Sequence, residues 1–303
     1  MGGGGFSSPP GDPSLDRYVL EVARVPHPRI CLLPTAGGDA EDQIRRFYAA
    51  YRHLPCEPTH LSLFRLGAEP VDVASVLLGQ DVLYVGGGSM LNLLAVWRAH
   101  GVDAILREAW ERGIVLCGIS AGSMCWFEAG VTTSFGEPRP VPGLGLLQGS
   151  NSVHYRGEPA RRPCFHEAIR AEAVPPGWGV DDGAGLLFVG RELAEAVSAR
   201  RGAGAYWVEE RGGAAVETAL GATPARTGSR SAPGRPWRPR SAAASCPDAR
   251  SSSRPRRSRS PSGARRACAA GKVLTSPSRP HAPTASKSST RRSATRPTRR
   301  CCW

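Results

Sequence analysis

Ser120 stands at the centre of Gly118-Ile119-Ser120-Ala121-Gly122, straight after the apolar run Ile114–Cys117 and ahead of a stretch with helical character. A serine on a sharp strand-to-helix turn suits nucleophilic catalysis. The turn lifts the hydroxyl above the sheet edge, and the N–H of the next residue, here Ala121, can donate to an oxyanion. Such a turn needs small flanking residues, which Gly118, Ala121 and Gly122 supply. The structural alternative is a serine that merely caps the following helix.

A nucleophilic serine needs a base. Of seven histidines, His53, His60 and His100 fall at element ends where a solvated imidazole is ordinary, and His281 lies far down a basic tail. His154, in Gly149-Ser150-Asn151-Ser152-Val153-His154-Tyr155, reads as part of a polar loop, where catalytic groups concentrate. His166 has helical neighbours. The polar setting favours His154. A carboxylate must orient the imidazole, and Glu128, Glu137, Glu158, Asp181 and Asp182 are all candidates. Asp181-Asp182-Gly183 closes a short apolar segment, with turn chemistry as its plainer reading. If the acid comes from that pair, the chain order is Ser, His, acid. The α/β-hydrolases run Ser, acid, His, and the body has no histidine after Asp182. Gly86-Gly87-Gly88 follows an apolar strand but lacks the spacing of a dinucleotide fingerprint and the lysine of a P-loop. A second oxyanion donor is the better reading of it.

The elements that must hold these residues alternate. Strands are expected at Arg29–Pro34, Thr59–Phe64, Asp81–Val85 and Ile114–Cys117. Helices are expected from Asp12-Pro13 to about Ala23, then at Asp39–Leu54, Val71–Leu78, Leu91–His100, Val102–Glu111 and Ala121–Glu128, with a further one opening near Pro163. Continuous apolar strands separated by helices indicate an α/β fold with a mostly parallel, doubly wound sheet covered on both faces. After Gly177 the pattern changes to Gly185–Val189, Leu193–Ala199, Ala205–Glu209 and Ala214–Glu217, short strands expected to add antiparallel pairs.

Charge divides the chain at about residue 221. The 303 residues carry a net +13. Residues 222–303 hold 20 Lys and Arg against one acid, Asp248, a charge of +19, which leaves −6 on residues 1–221. A nucleic-acid reading of the high pI would therefore apply to the tail alone. The tail is Ser-, Arg-, Pro- and Ala-rich without apolar periodicity and is expected to be disordered. Translation out of frame from GC-rich DNA would give the same composition. Met1 is followed at once by four glycines. A Gly-rich turn in this fold class normally follows a strand, so a first strand is expected upstream of Met1. No apolar run reaches the ~20 residues of a membrane helix, no secretory signal is present, and the scattered cysteines read as free thiols of a reducing compartment. These features favour a cytoplasmic protein, monomer or homodimer, without membrane contact.

The segments YVGGGSMLNLLAVWRAHGVD, GIVLCGISAGSMCWFEAGVT, GLGLLQGSNSVHYRGEPARRP and DDGAGLLF resemble, in order and spacing, the peptidase E and cyanophycinase family of serine peptidases. The resemblance runs through almost the whole of residues 1–221. It implies a flavodoxin-like fold similar to class I glutamine amidotransferases, with Ser120 as nucleophile, His154 as base and Asp182 as the acid. It implies Gly88 and Ala121 as oxyanion donors, no metal or organic cofactor, and a small peptide as substrate. Peptidase E cleaves dipeptides with an N-terminal aspartate, and cyanophycinase cleaves β-aspartyl-arginine units. Two positions depart from the family. Thr132-Thr133-Ser134 lacks the family's carboxylate, and Tyr155-Arg156-Gly157-Glu158 carries arginine where aspartate is usual. Aspartyl specificity therefore transfers less well than the triad. Glu158, Arg161 and Arg162 are expected near the substrate. The competing function is a binding module that keeps the fold without catalysis.

Overall fold

The computed structural model describes residues 1–7, 12–225 and 301–302. Helix α1 (Ser14–Ala23) starts where the Asp12 carboxylate accepts the Ser14 N–H at 2.8 Å, and it buries Leu15, Val19 and Val22. Strand β1 (Arg29–Leu33), helix α2 (Glu41–Tyr51), strand β2 (Glu57–His60), helix α3 (Val73–Leu78) and strand β3 (Val82–Val85) follow. Helices α4 (Met90–Ala99) and α5 (Val102–Arg112) then lead to strand β4 (Val115–Gly118). These four strands form a parallel sheet in the order β2-β1-β3-β4. β3 and β4 are buried at every residue because both faces are covered. Val82, Tyr84, Val115 and Cys117 face a cluster with Phe47 and Tyr51 of α2 and Leu15 and Val19 of α1. Leu83, Val85 and Leu116 face Leu77 of α3, Leu93 and Trp97 of α4 and Leu106 of α5. The two-residue period of a strand alone distributes these side chains.

The second half builds a six-stranded mixed sheet. Helix α6 (Ala121–Met124) is followed by β5 (Phe127–Thr132), β6 (Arg139–Pro142), β7 (Leu147–Val153), helix α7 (Arg161–Arg170) and β8 (Gly177–Val180). Next come β9 (Ala184–Val189), β10 (Glu192–Ser198), β11 (Ala205–Arg211), β12 (Ala214–Leu220), β13 (Thr223–Pro224) and β14 (Cys301–Cys302). The sheet order is β12-β11-β8-β7-β5-β6, with β5, β7 and β8 parallel to one another. β9 and β10 form an antiparallel pair flanked by β13 and β14. The α/β class, the parallel core and the antiparallel additions are as expected.

Three local expectations differ. The helix expected over Ala121–Glu128 is a single turn, because Phe127–Thr132 pairs with both β6 and β7, and ladder pairing outweighs local helical preference. The strand expected at Thr59–Phe64 ends at His60, and Leu63–Arg65 turns into a 3₁₀ helix under which the Asp39 carboxylate accepts the Phe64 N–H. The polar stretch before His154 is the buried strand β7. Two of its polar side chains find partners inside: Ser150 donates to the Pro175 carbonyl at 2.5 Å and Asn151 to the Trp178 carbonyl at 3.2 Å. Of the tail expected to be disordered, residues 222–303, Thr223–Pro224 and Cys301–Cys302 stand in the strands β13 and β14, and residues 226–300 and 303 lie outside the described residues. Cys31, Cys56, Cys117, Cys125 and Cys164 are free thiols. Among the described residues no helix is long and apolar enough to cross a membrane.

Candidate active site

The chemistry-bearing residues gather at the carboxyl ends of parallel strands, where open α/β sheets leave a crevice. Gly86-Gly87-Gly88 follows β3, Ser120 follows β4, His154 follows β7, and Asp182 follows β8. Ser120 has φ 54° and ψ −118°, a strained backbone that holds the side chain out of the turn. Packing enforces the small flanks. A Cβ on Gly118 would lie 2.0 Å from the Gly122 carbonyl oxygen, and one on Gly122 would lie 2.3 Å from that of Val85.

Ser120 Oγ is 2.9 Å from His154 Nε2, and His154 Nδ1 is 2.5 Å from Asp182 Oδ1. An ionised carboxylate only accepts, so the Nδ1 nitrogen carries the hydrogen and Nε2 is left to accept from the serine. His154 is itself in the left-handed region, at φ 52°. The Asp182 carboxyl is held below its ordinary range, chiefly by the hydrogen bond from His154, with help from the charges of Arg200 and Arg161 and against its partial burial. It stays ionised at neutral pH, as an orienting group must.

The paired acids separate cleanly. Successive residues at a strand end point to opposite sides. Asp182 turns to His154, while Asp181 is buried and accepts from Arg156 Nε at 2.9 Å and from the Gly204 N–H at 2.9 Å. Arg156 also lies over the Tyr206 ring. The arginine that departs from the family pattern thus neutralises a buried carboxylate beside the acid. Glu128 accepts the Gly149 N–H at 2.9 Å. His166, on α7, meets Tyr155 and Glu217.

Gly88 has φ +142°, and a Cβ there would come within 2.1 Å of the Ala36 carbonyl oxygen. Gly87 packs on Ser120, its Cβ position 3.2 Å from Ser120 Cβ. Among the described residues neither the Gly88 N–H nor the Ala121 N–H is spent on a protein acceptor. Glu158 is in the turn after His154, its N–H on the His154 carbonyl at 2.9 Å. Arg161 is buried, and its guanidinium donates to Glu158 at 2.6 Å, to the Val131 carbonyl and to Thr133 Oγ1 at 3.0 Å. It thereby braces the end of β5. Arg162 pairs with Glu217 at 2.9 Å. Among the described residues no group of three or more His, Cys, Asp or Glu side chains could hold a metal ion.

Residues near the site that sequence reasoning missed are Gly3 and Gln43. A parallel bridge joins Gly3 to Asp182, and Gln43 Nε2 donates to the Gly87 carbonyl at 3.1 Å. The run of glycines at the start was a visible signal for the first. Nothing in the spacing marked the second.

The model of peptidase family S51 matches residues 1–196. The uncharacterised peptidase YgaJ of Bacillus subtilis (strain 168) is 50% identical over 208 residues, 69% of this chain and 90% of that protein. Among solved structures, a peptidase from an acI-B1 Actinobacterium has a TM-score of 0.54 at 16% identity, covering 73% of this chain and 92% of that one. A likeness at that identity supports the fold alone.

Proposed function

We infer, for a chain that belongs to peptidase family S51, a serine-type mechanism acting on small peptides. The observation that carries this reading is the continuous relay of 2.9 Å and 2.5 Å from Ser120 through His154 to Asp182. His154 Nε2 takes the Ser120 proton as Oγ attacks the peptide carbonyl. The Gly88 and Ala121 N–H groups meet the oxyanion, and His154 returns the proton to the departing amine. Water, deprotonated by the same imidazole, then releases the acyl group from Ser120. Asp182 keeps the imidazole in the required tautomer and stabilises the imidazolium.

The intact relay favours catalysis over a binding module of the same fold. The test is Ser120→Ala, assayed with a fluorophosphonate label and a dipeptide library that begins with aspartyl dipeptides. Both labelling and hydrolysis should vanish. Labelling and turnover that survive the substitution would overturn the serine mechanism.

A further inference from the structure

Nothing intrinsic to Gly86-Gly87-Gly88 decides which way its peptide planes face. Glycine takes either sign of φ with little cost, so the Gly87–Gly88 peptide can present its N–H or its carbonyl to the nucleophile. Only the N–H serves an oxyanion. We propose that Gln43 is the positioning residue that settles this choice: by holding the Gly87 carbonyl it aims the Gly88 N–H toward the Ser120 side. The inference rests on the serine mechanism above and deepens it.

Gln43 lies in the first turn of α2, and its Nε2 donates to the Gly87 carbonyl at 3.1 Å. In a trans peptide the C=O and the following N–H point in opposite directions. Tethering the Gly87 oxygen toward α2 therefore turns the Gly88 N–H away from α2. Gly87 is the residue packed on Ser120, its Cβ position 3.8 Å from Oγ. The next residue is anchored independently: the Ser89 N–H donates to the Ala36 carbonyl at 2.8 Å. With both ends of the loop held, the peptide between them cannot turn freely.

The Gln43 amide is wedged rather than loosely seated. Its Oε1 lies 2.5 Å from where a Cβ on Gly86 would be and 3.3 Å from the corresponding point on Gly37. The two glycine turns thus leave the space this amide fills. Oε1 is buried without a hydrogen-bond partner among the described residues. A buried acceptor left unpaired is unfavourable, and a methionine of similar reach would fill the same space without it. Packing alone does not account for a glutamine here, whereas a required donor to Gly87 does.

The experiment compares Gln43→Met, which removes the donor and keeps the volume, with Gln43→Glu, which sets a carboxylate against the Gly87 carbonyl. Each is assayed for kcat, KM, the rate of fluorophosphonate labelling at Ser120 and the thermal midpoint. The expected result is a kcat lower by about 10- to 100-fold with KM within about twofold, because the lost interaction belongs to the transition state. The labelling rate should fall in proportion, since phosphonylation builds charge on the same oxygen. A purely structural role would lower the thermal midpoint and leave kcat per folded molecule unchanged. Wild-type kcat and labelling in either folded variant, beside an inactive Ser120→Ala, overturns the role of Gln43 alone. Turnover that survives Ser120→Ala overturns the serine mechanism and this inference together.

Discussion

Replacing Gly3 by alanine should disable the proposed triad without substituting any of its members. A Cβ at Gly3 would sit 2.0 Å from Asp182 Oδ1, 2.9 Å from its Cγ and 3.3 Å from His154 Cε1. Relieving that contact needs a displacement of about 1 Å or more. The backbone of residues 1–3 is pinned: the Met1 carbonyl accepts from Ser120 N–H at 3.1 Å, Gly2 N–H donates to Ala184 at 3.0 Å, and the Gly3 carbonyl accepts from Gly183 N–H at 2.8 Å. The carboxylate must therefore yield, and its 2.5 Å bond to His154 lengthens beyond hydrogen-bonding range. Loss of the orienting acid in a well-studied serine protease triad costs about 10⁴ in kcat. The Asp182 side chain is 36% exposed and can reseat through solvent, so a loss of about 10²-fold is expected, about 2.7 kcal/mol on the barrier. The assay is steady-state kinetics of Gly3→Ala, Asp182→Asn and the double variant, with thermal melts of each. The double variant should be no slower than Asp182→Asn alone, because both changes break one hydrogen bond. Wild-type kcat in Gly3→Ala, or additive losses in the double variant, would refute the steric reasoning.

Two further outcomes follow from buried carboxylates. Asp16 is buried against Tyr51, whose hydroxyl donates to it at 2.9 Å, and burial raises its carboxyl from 3.8 to about 7. The folded state then binds the extra proton, so its contribution to stability is full below pH 4 and is lost as pH rises to about 7. The loss is about 4 kcal/mol. Urea midpoints at pH 5 and pH 8 should converge in Asp16→Asn relative to wild type, and an unchanged pH dependence would refute the assignment. Arg156→Ala strips the guanidinium from Asp181 and should destabilise the fold by about 1–3 kcal/mol, reduced from the full cost of breaking a buried pair because Arg156 is half exposed. Denaturant unfolding of Arg156→Ala checks this, and a change below about 0.5 kcal/mol would show that Gly204 and Tyr206 suffice to hold Asp181.

Much of the site was legible because its constraints are local. A nucleophile turn needs glycine and alanine around its serine, and Gly118, Ala121 and Gly122 announce that need within five residues. The alternation of apolar strands and amphipathic helices up to β4 was readable for the same reason: each period depends only on neighbours in sequence. The errors fell where a partner distant in sequence decides. Met124–Glu128 could continue a helix, but pairing with β6 and β7 draws Phe127 onward into β5. Ser150 and Asn151 look solvated until Pro175 and Trp178 supply carbonyls inside the fold.

The sequence alone determined that a glycine-flanked serine turn stands on a parallel α/β scaffold, that the proposed base and acid, His154 and Asp182, follow Ser120, and that the positive charge belongs to the tail. The tertiary structure decided which of two adjacent aspartates turns to His154 and which is buried against Arg156. It also placed Gly3 beside Asp182 and Gln43 against the Gly87 carbonyl. Those are contacts between segments 44 to about 180 residues apart. No local preference encodes them, because they exist only once the strands have aligned their carboxyl ends.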